Sequence, residues 1–298
     1  MAHPSIARMT RLARCSCRFL LFIVAMTAPI AAYAEAVAMI ADLKGVGCTL
    51  SGKKPLACEI LAYLEPGSTL ELKKGVRAAV VYFKSGREFM LVGPGQTRID
   101  AASPETLSGE VPRSQSLSLA RDMGLRARDV QSHRQAAFVL RGAGTARRKL
   151  RIRGPRNTRI INPRPTFEWE TLESGAQYRF VLSDEDGRIL LQTLVSGTRF
   201  ALPSEVKLSA NTVYTWQIDT RLADGATFSS TADFSLLAKS KRRMLQKMKP
   251  ATDARVSELV LYAVLLEREG VRDDAKKWWA LAAEQRPQEG VLKRMAGR

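Results

Sequence analysis

TVYTWQIDT, residues 212–220, sets Tyr214, Trp216 and Ile218 on one face and Thr215, Gln217 and Asp219 on the other. A period of two is the mark of a half-buried β-strand. The pattern recurs upstream in PTFEWE (165–170), through Phe167 and Trp169, and in AQYRFVLSD (176–184), through Tyr178, Phe180 and Leu182. Downstream, Phe234 and Leu236 close it, and RILLQTLVSG (188–197) and TRFALP (198–203) supply further strands. Turn residues separate these runs at short intervals, so residues 158–238 are expected to form an antiparallel sandwich.

Residues 35–110 also read as β. Strand-length apolar runs are punctuated by Pro66-Gly67, Lys74-Gly75, Ser85-Gly86 and Gly93-Pro94-Gly95. Val80, Tyr82 and Leu91 are suited to a small β core. Cys48 and Cys58 flank a polar turn in VGCTLSGKKPLACEIL (46–61). Two lone cysteines this close, in an oxidising compartment, predict a disulfide that staples a hairpin.

That compartment is read from the first 34 residues. Arg8, Arg11, Arg14 and Arg18 precede the apolar run Phe19–Ile30, and Ala32-Tyr33-Ala34 follows. Basic front, short apolar core and small-residue exit form the pattern of a secretory signal, with cleavage expected near Ala34 and the product periplasmic or secreted. The alternative is a retained inner-membrane anchor facing the periplasm, since Phe19–Ala41 reaches the roughly 20 residues a span needs. Cys15 and Cys17 lie ahead of the apolar core, which argues against a lipid-anchored cysteine.

Net charge is +18 over 298 residues. Cations crowd the segment read as a basic linker, 111–157, and the residues just after it. Arg141, Arg147, Arg148, Lys149, Arg151, Arg153, Arg156 and Arg159 follow one another with no acid between them. Such a strip suits either a solvated linker or attraction to an anionic lipid or cell-wall polymer. No aromatic side chains alternate with these charges, so nucleic acid is not an expected partner.

The C-terminal segment, 239–298, is expected to be helical. Leu259, Tyr262, Ala263 and Leu266 recur at helical spacing, Gly270 stops the run, and a second helix leads to Gln285 ahead of Pro287. The basic run Lys239–Lys249 before it reads as a solvated helix face. Trp278 and Trp279 are adjacent, so they cannot both face one way. One is expected in the core and the other either packed against the sandwich or exposed, so Trp278 and Trp279 mark a candidate partner contact.

Three resemblances follow from these residues. Gly67 and Leu70, then Val81, Phe83, Ser85 and Gly86, then Leu91 and Gly93 resemble the loose pattern of the FecR-like periplasmic domain. Its sigma-factor role is not implied, because the cytoplasmic helical segment of those regulators has no counterpart here. Trp169, the LSANTVY corner ending at Tyr214, Gly225 and Phe234 resemble a fibronectin type III domain, a scaffold that implies no particular ligand. Leu259, Ala263, Leu266, Gly270, Ala275, Trp279, Ala282 and Pro287 resemble a single tetratricopeptide repeat. One repeat is not stable alone, so the hairpin is expected to dock on the sandwich, a second copy or a partner.

The expected fold class is mainly β with a C-terminal α-helical hairpin: a small β domain followed by an Ig/fibronectin type III-like sandwich. No catalytic residues, metal ligands or cofactor are expected. His133 near Asp129 lacks the framing of a nucleophile–base pair. Asp184-Glu185-Asp186-Gly187 reads as hairpin-turn chemistry rather than a calcium loop. The expected function is an exported, non-enzymatic envelope scaffold or signalling accessory that binds a protein partner. The alternative is a binder of anionic envelope polymer or lipid through the arginine-rich strip.

Overall fold

The computed structural model describes residues 35–51, 55–117 and 148–297. Residues 1–34, read above as a secretory signal, and Arg141, Arg147 and His133 lie outside the described residues. The chain is mainly β, with helices gathered at its C-terminal end. Among the described residues no helix is long and apolar enough to cross a membrane.

Ten strands come first: β1 (Ala38–Lys44), β2 (Cys48–Ser51), β3 (Leu56–Ala57), β4 (Tyr63–Leu64), β5 (Thr69–Leu72), β6 (Arg77–Tyr82), β7 (Arg87–Val92), β8 (Gly95–Ile99), β9 (Pro104–Ser108) and β10 (Arg113–Ser116). They form two five-stranded sheets, ordered β10-β7-β6-β1-β4 and β3-β2-β5-β8-β9. Cys48 and Cys58 are disulfide-bonded across the β2–β3 turn. Gly93 admits no side chain, because a Cβ there would lie 2.1 Å from the Lys73 carbonyl oxygen.

The second β region contains β11 (Ile152–Gly154), β12 (Thr158–Ile160), β13 (Thr166–Trp169), β14 (Gln177–Asp184), β15 (Ile189–Ser196), β16 (Arg199–Ala201), β17 (Val213–Arg221) and β18 (Thr227–Leu236). A three-stranded sheet, β11-β13-β16, packs on a five-stranded sheet, β12-β18-β17-β14-β15, as an immunoglobulin-like sandwich. The alternation seen in the sequence becomes the inward face. Phe167 sits 4.8 Å from Phe180 and 5.0 Å from Trp216, ring centre to ring centre. The Tyr214 hydroxyl accepts the Ser209 amide at 2.7 Å, which fixes the preceding loop as a tyrosine corner.

The basic linker expected over 111–157 is corrected at both ends. Arg113–Ser116 is the edge strand β10, and Leu117 behind it is buried. Leu150 and Ile152 belong to the sandwich core. Backbone pairing and buried leucine and isoleucine side chains override the charge of the segment. Residues 118–147 lie outside the described residues.

Four helices follow: α1 (Lys239–Met248), α2 (Val256–Arg268), α3 (Arg272–Gln285) and α4 (Gly290–Ala296). Gly270, at φ +79°, ends α2 as expected, and the Val271 amide reaches back to the Leu266 carbonyl at 2.8 Å. The hairpin meets one of its expected partners, the sandwich, along a polar seam at the start of α3. It packs on the N-terminal sheets, and a single apolar core runs from β1 and β6 through α2 into α3 and α4. Ten of the thirteen residues of α2 are buried. A helix apolar on every side belongs in an interior. Strand β6 is its counterpart, buried at every position after Arg77. The first and last parts of the chain therefore make one core, and the sandwich between them has its own.

Two polar seams hold this arrangement. At the first, Arg286 at the end of α3 grips Asp42 of β1 through two hydrogen bonds of 2.8 and 2.7 Å. Nearby, the fully buried Glu88 of β7 accepts Arg255 at 2.8 Å and the Gln115 amide. At the second, the sandwich caps a helix it does not belong to. The Thr158 hydroxyl of β12 accepts the Arg272 amide at 2.9 Å and the Asp273 amide at 3.4 Å, at the start of α3. The helix supplies no side-chain cap of its own. The Asp273 carboxylate in turn accepts the Arg156 amide at 3.0 Å.

Thr158→Ala is expected to lower unfolding free energy by about 1–2 kcal/mol, the value of a lost cap, while Thr158→Ser retains most of it. Urea denaturation followed by tryptophan fluorescence checks this. Equal losses in both variants would assign the effect to the methyl group instead.

Burial pushes the Glu88 carboxyl above its ordinary 4.5, against the pull of Ser257 and Arg255. The folded state then keeps a proton that the unfolded chain releases, so stability falls as pH rises from 4.5 through the raised folded value. Glu88→Gln is expected to lack this fall. Its stability relative to the unmodified protein rises steadily over that window in denaturation series at successive pH, and a pH-independent difference would contradict the assignment.

Candidate protein-docking edge

Arg148, Arg151 and Arg153 of the basic strip keep 62–70% of their side-chain surface exposed while paired with acids. Arg148 meets Asp224 at 3.5 Å, Arg153 meets Glu170 at 3.2 Å, and Arg151 approaches the same carboxylate at 4.0 Å. These acids lie far along the sequence, so local reading finds no compensation where the fold provides it. Arg159 is turned into the α3 seam, where it donates to the Asn211 side chain at 3.2 Å and the Glu269 carbonyl at 3.4 Å. Lys149 and the Arg156 side chain remain exposed.

The tryptophan pair is corrected as well: both rings are buried, and neither is offered as a partner contact. Consecutive helix positions point in different directions, and α3 has neighbours on more than one side. Trp279 is fully buried and donates to the Glu267 carboxylate at 3.0 Å. Trp278 stands edge-on to Tyr262 at 4.9 Å, with the Lys249 ammonium 5.9 Å from its ring centre. It walls a hollow of about 450 Å³ together with Ile161, Pro163 and Leu281.

A neighbouring cleft of about 470 Å³ lies along the α3 seam. Its charges are matched internally: Lys276 with Asp273 at 3.4 Å, Lys277 with Asp274 at 2.7 Å, and Arg199 with Glu168 at 3.0 Å. The acidic stretch 184–187 is the β14–β15 turn. The Asp184 carboxylate accepts the Arg188 amide at 2.9 Å, and Gly187 takes φ +78°.

The surface that stands out is a strand edge. An edge strand exposes a row of unpaired backbone donors and acceptors, and proteins usually blunt it with charge, proline or shortness. The other sheet ends among the described residues are blunted in these ways. Strands β3 and β4 have two residues, and β11, β12 and β16 have three. Strand β10 carries Arg113, and β9 carries Pro104 and Glu105.

Strand β15 is the exception. It has eight residues, ILLQTLVS, with no charge and no proline. It pairs with β14 on one side and ends the sheet on the other. Leu191, Thr193 and Val195 lie opposite Leu182, Phe180 and Tyr178 and so share the core-side face. Gln192, Leu194 and Ser196 therefore face outward. Leu194 is 70% exposed and Ile189 58%. A shallow hollow of about 560 Å³ adjoins Leu194, walled by Arg179, Asp219 and Phe228. Arg179 is held by Asp219 at 2.7 Å, and Arg221 also lines the hollow.

Sequence reading identified RILLQTLVSG as a strand but not as a free edge. Position in a sheet is set by pairings remote in sequence. The one local signal was the absence of charge over 189–196. No protein-family model matches the chain, and no curated protein matches it.

Proposed function

We propose that this chain is an exported, non-enzymatic envelope protein that binds other polypeptides by strand addition at β15. The observation that carries the reading is the eight-residue, uncharged, unblunted edge with two large aliphatic side chains exposed along it. Main-chain hydrogen bonds to such an edge supply affinity, and alternate side chains supply selectivity. Export is supported by the leader-like first 34 residues and by the Cys48–Cys58 bond, which persists only in an oxidising compartment. The resemblances to FecR-like and fibronectin type III domains agree with a binding role in the envelope. The anionic-polymer alternative draws less support, since Arg148, Arg151 and Arg153 are engaged by acids and Arg159 by the α3 seam.

A photo-crosslinking residue placed at Gln192 in cells is expected to yield protein adducts that mass spectrometry maps to an extended segment. Leu194→Lys suppresses them, and the same probe at exposed Glu71 yields none. Absence of adducts from Gln192, or adducts indifferent to Leu194→Lys, would refute strand addition at this edge.

A further inference from the structure

We infer that the strand that pairs with β15 is the β15 of a second copy of this chain, in a two-fold antiparallel arrangement. The inference rests on the reading of β15 as a docking edge. Three features single out a second copy among extended partners.

The first is charge. The chain carries +18, and still +14 without the four arginines of residues 1–34, so like charge opposes association over much of its surface. Strand β15 has no charged residue, and two copies can align it with no like charges opposite one another.

The second is the complementarity of its two ends. Antiparallel pairing sets the start of each β15 beside the end of the other. The turn before β15 exposes Glu185 and Asp186, an acidic spot in a basic molecule. Just past its end lies Arg199, whose side chain is 72% exposed and paired with Glu168 at 3.0 Å, while Arg188 beside the acidic turn is paired with Asp184 at 3.4 Å. A two-fold axis brings this acidic turn of each copy toward the arginine end of its mate, twice.

The third is face matching. In a two-fold antiparallel pair, opposed residues share a sheet face. Leu191, Thr193 and Val195 then extend the core-side face from one copy into the next. The two Leu194 side chains come together on the outer face, where each is now 70% exposed. Burying apolar surface from both sides favours association. The pairing also converts two free edges into the interior of one continuous sheet, and this closed isologous contact does not propagate further.

Analytical ultracentrifugation of the purified protein across a concentration series tests this. The expected result is a reversible dimer that becomes monomeric in Leu194→Lys and, independently, in Gln192→Lys. Both side chains face outward, so both variants keep the parent's far-ultraviolet circular dichroism spectrum and its melting profile at concentrations where the parent is monomeric. A monomer at every concentration overturns the inference, and so does a dimer that both lysine variants leave intact. The Gln192 photo-adducts separate the two levels. A monomer that still yields adducts to a different protein removes the second copy but keeps the docking edge, whereas a monomer without adducts removes both.

Discussion

Helix α2 is the element on which the rest of the structure depends. Its sequence, VSELVLYAVLLER, buries ten of thirteen residues, so it needs cover on every side. The sheet containing β1 and β6 covers one side, and α1 and α3 cover others. The Tyr262 hydroxyl donates to the Leu245 carbonyl at 3.0 Å and ties α2 to α1 from within. The dependence is mutual. Strands β1 and β6 are apolar on both faces, and two packed sheets alone would leave one of those faces wet. The beginning and end of the described chain are thus two halves of one hydrophobic unit.

The sandwich is an insertion in that unit. It carries its own aromatic core and is attached largely through hydrogen bonds at 156–159 and 269–273 rather than through shared apolar packing. Those contacts fix its orientation because they end a helix: without Thr158 the first amides of α3 would lack their side-chain partner. The attachment uses β12, at one end of the five-stranded sheet, and β15 is at the other end. One edge is spent on holding the sandwich in place, which leaves the opposite edge open for another strand.

Much of this was legible in local pattern. Period-two alternation around Trp216 and Phe180 identified the sandwich, the LSANTVY corner anticipated the Tyr214–Ser209 bond, and Gly270 marked the end of α2. What escaped was long-range. The hairpin does meet the sandwich, at Thr158 and Arg272, but its larger apolar contact is the N-terminal sheet, more than two hundred residues away by sequence at Asp42–Arg286. A signal was present in the all-round apolar character of residues 259–266, which suits a helix covered on both sides. The arginines between 148 and 159 looked uncompensated because their acids, Glu170 and Asp224, belong to other parts of the fold. The tryptophan pair offered a candidate surface contact because adjacent bulky residues rarely both find cover, and here Tyr262 and Lys249 cover Trp278 while Trp279 is fully buried.

The central claim is that the N-terminal sheets and the C-terminal helices unfold as one body while the sandwich unfolds as another. Native-state hydrogen exchange on the intact protein and on Leu261→Ala, a truncation inside α2, tests it directly. Removing that buried side chain costs about 2–5 kcal/mol. The amides of β1 and β6 are expected to lose as much protection as those of α2, while β14 and β17 keep theirs. Loss confined to the helices, with β1 and β6 unchanged, would contradict a shared core.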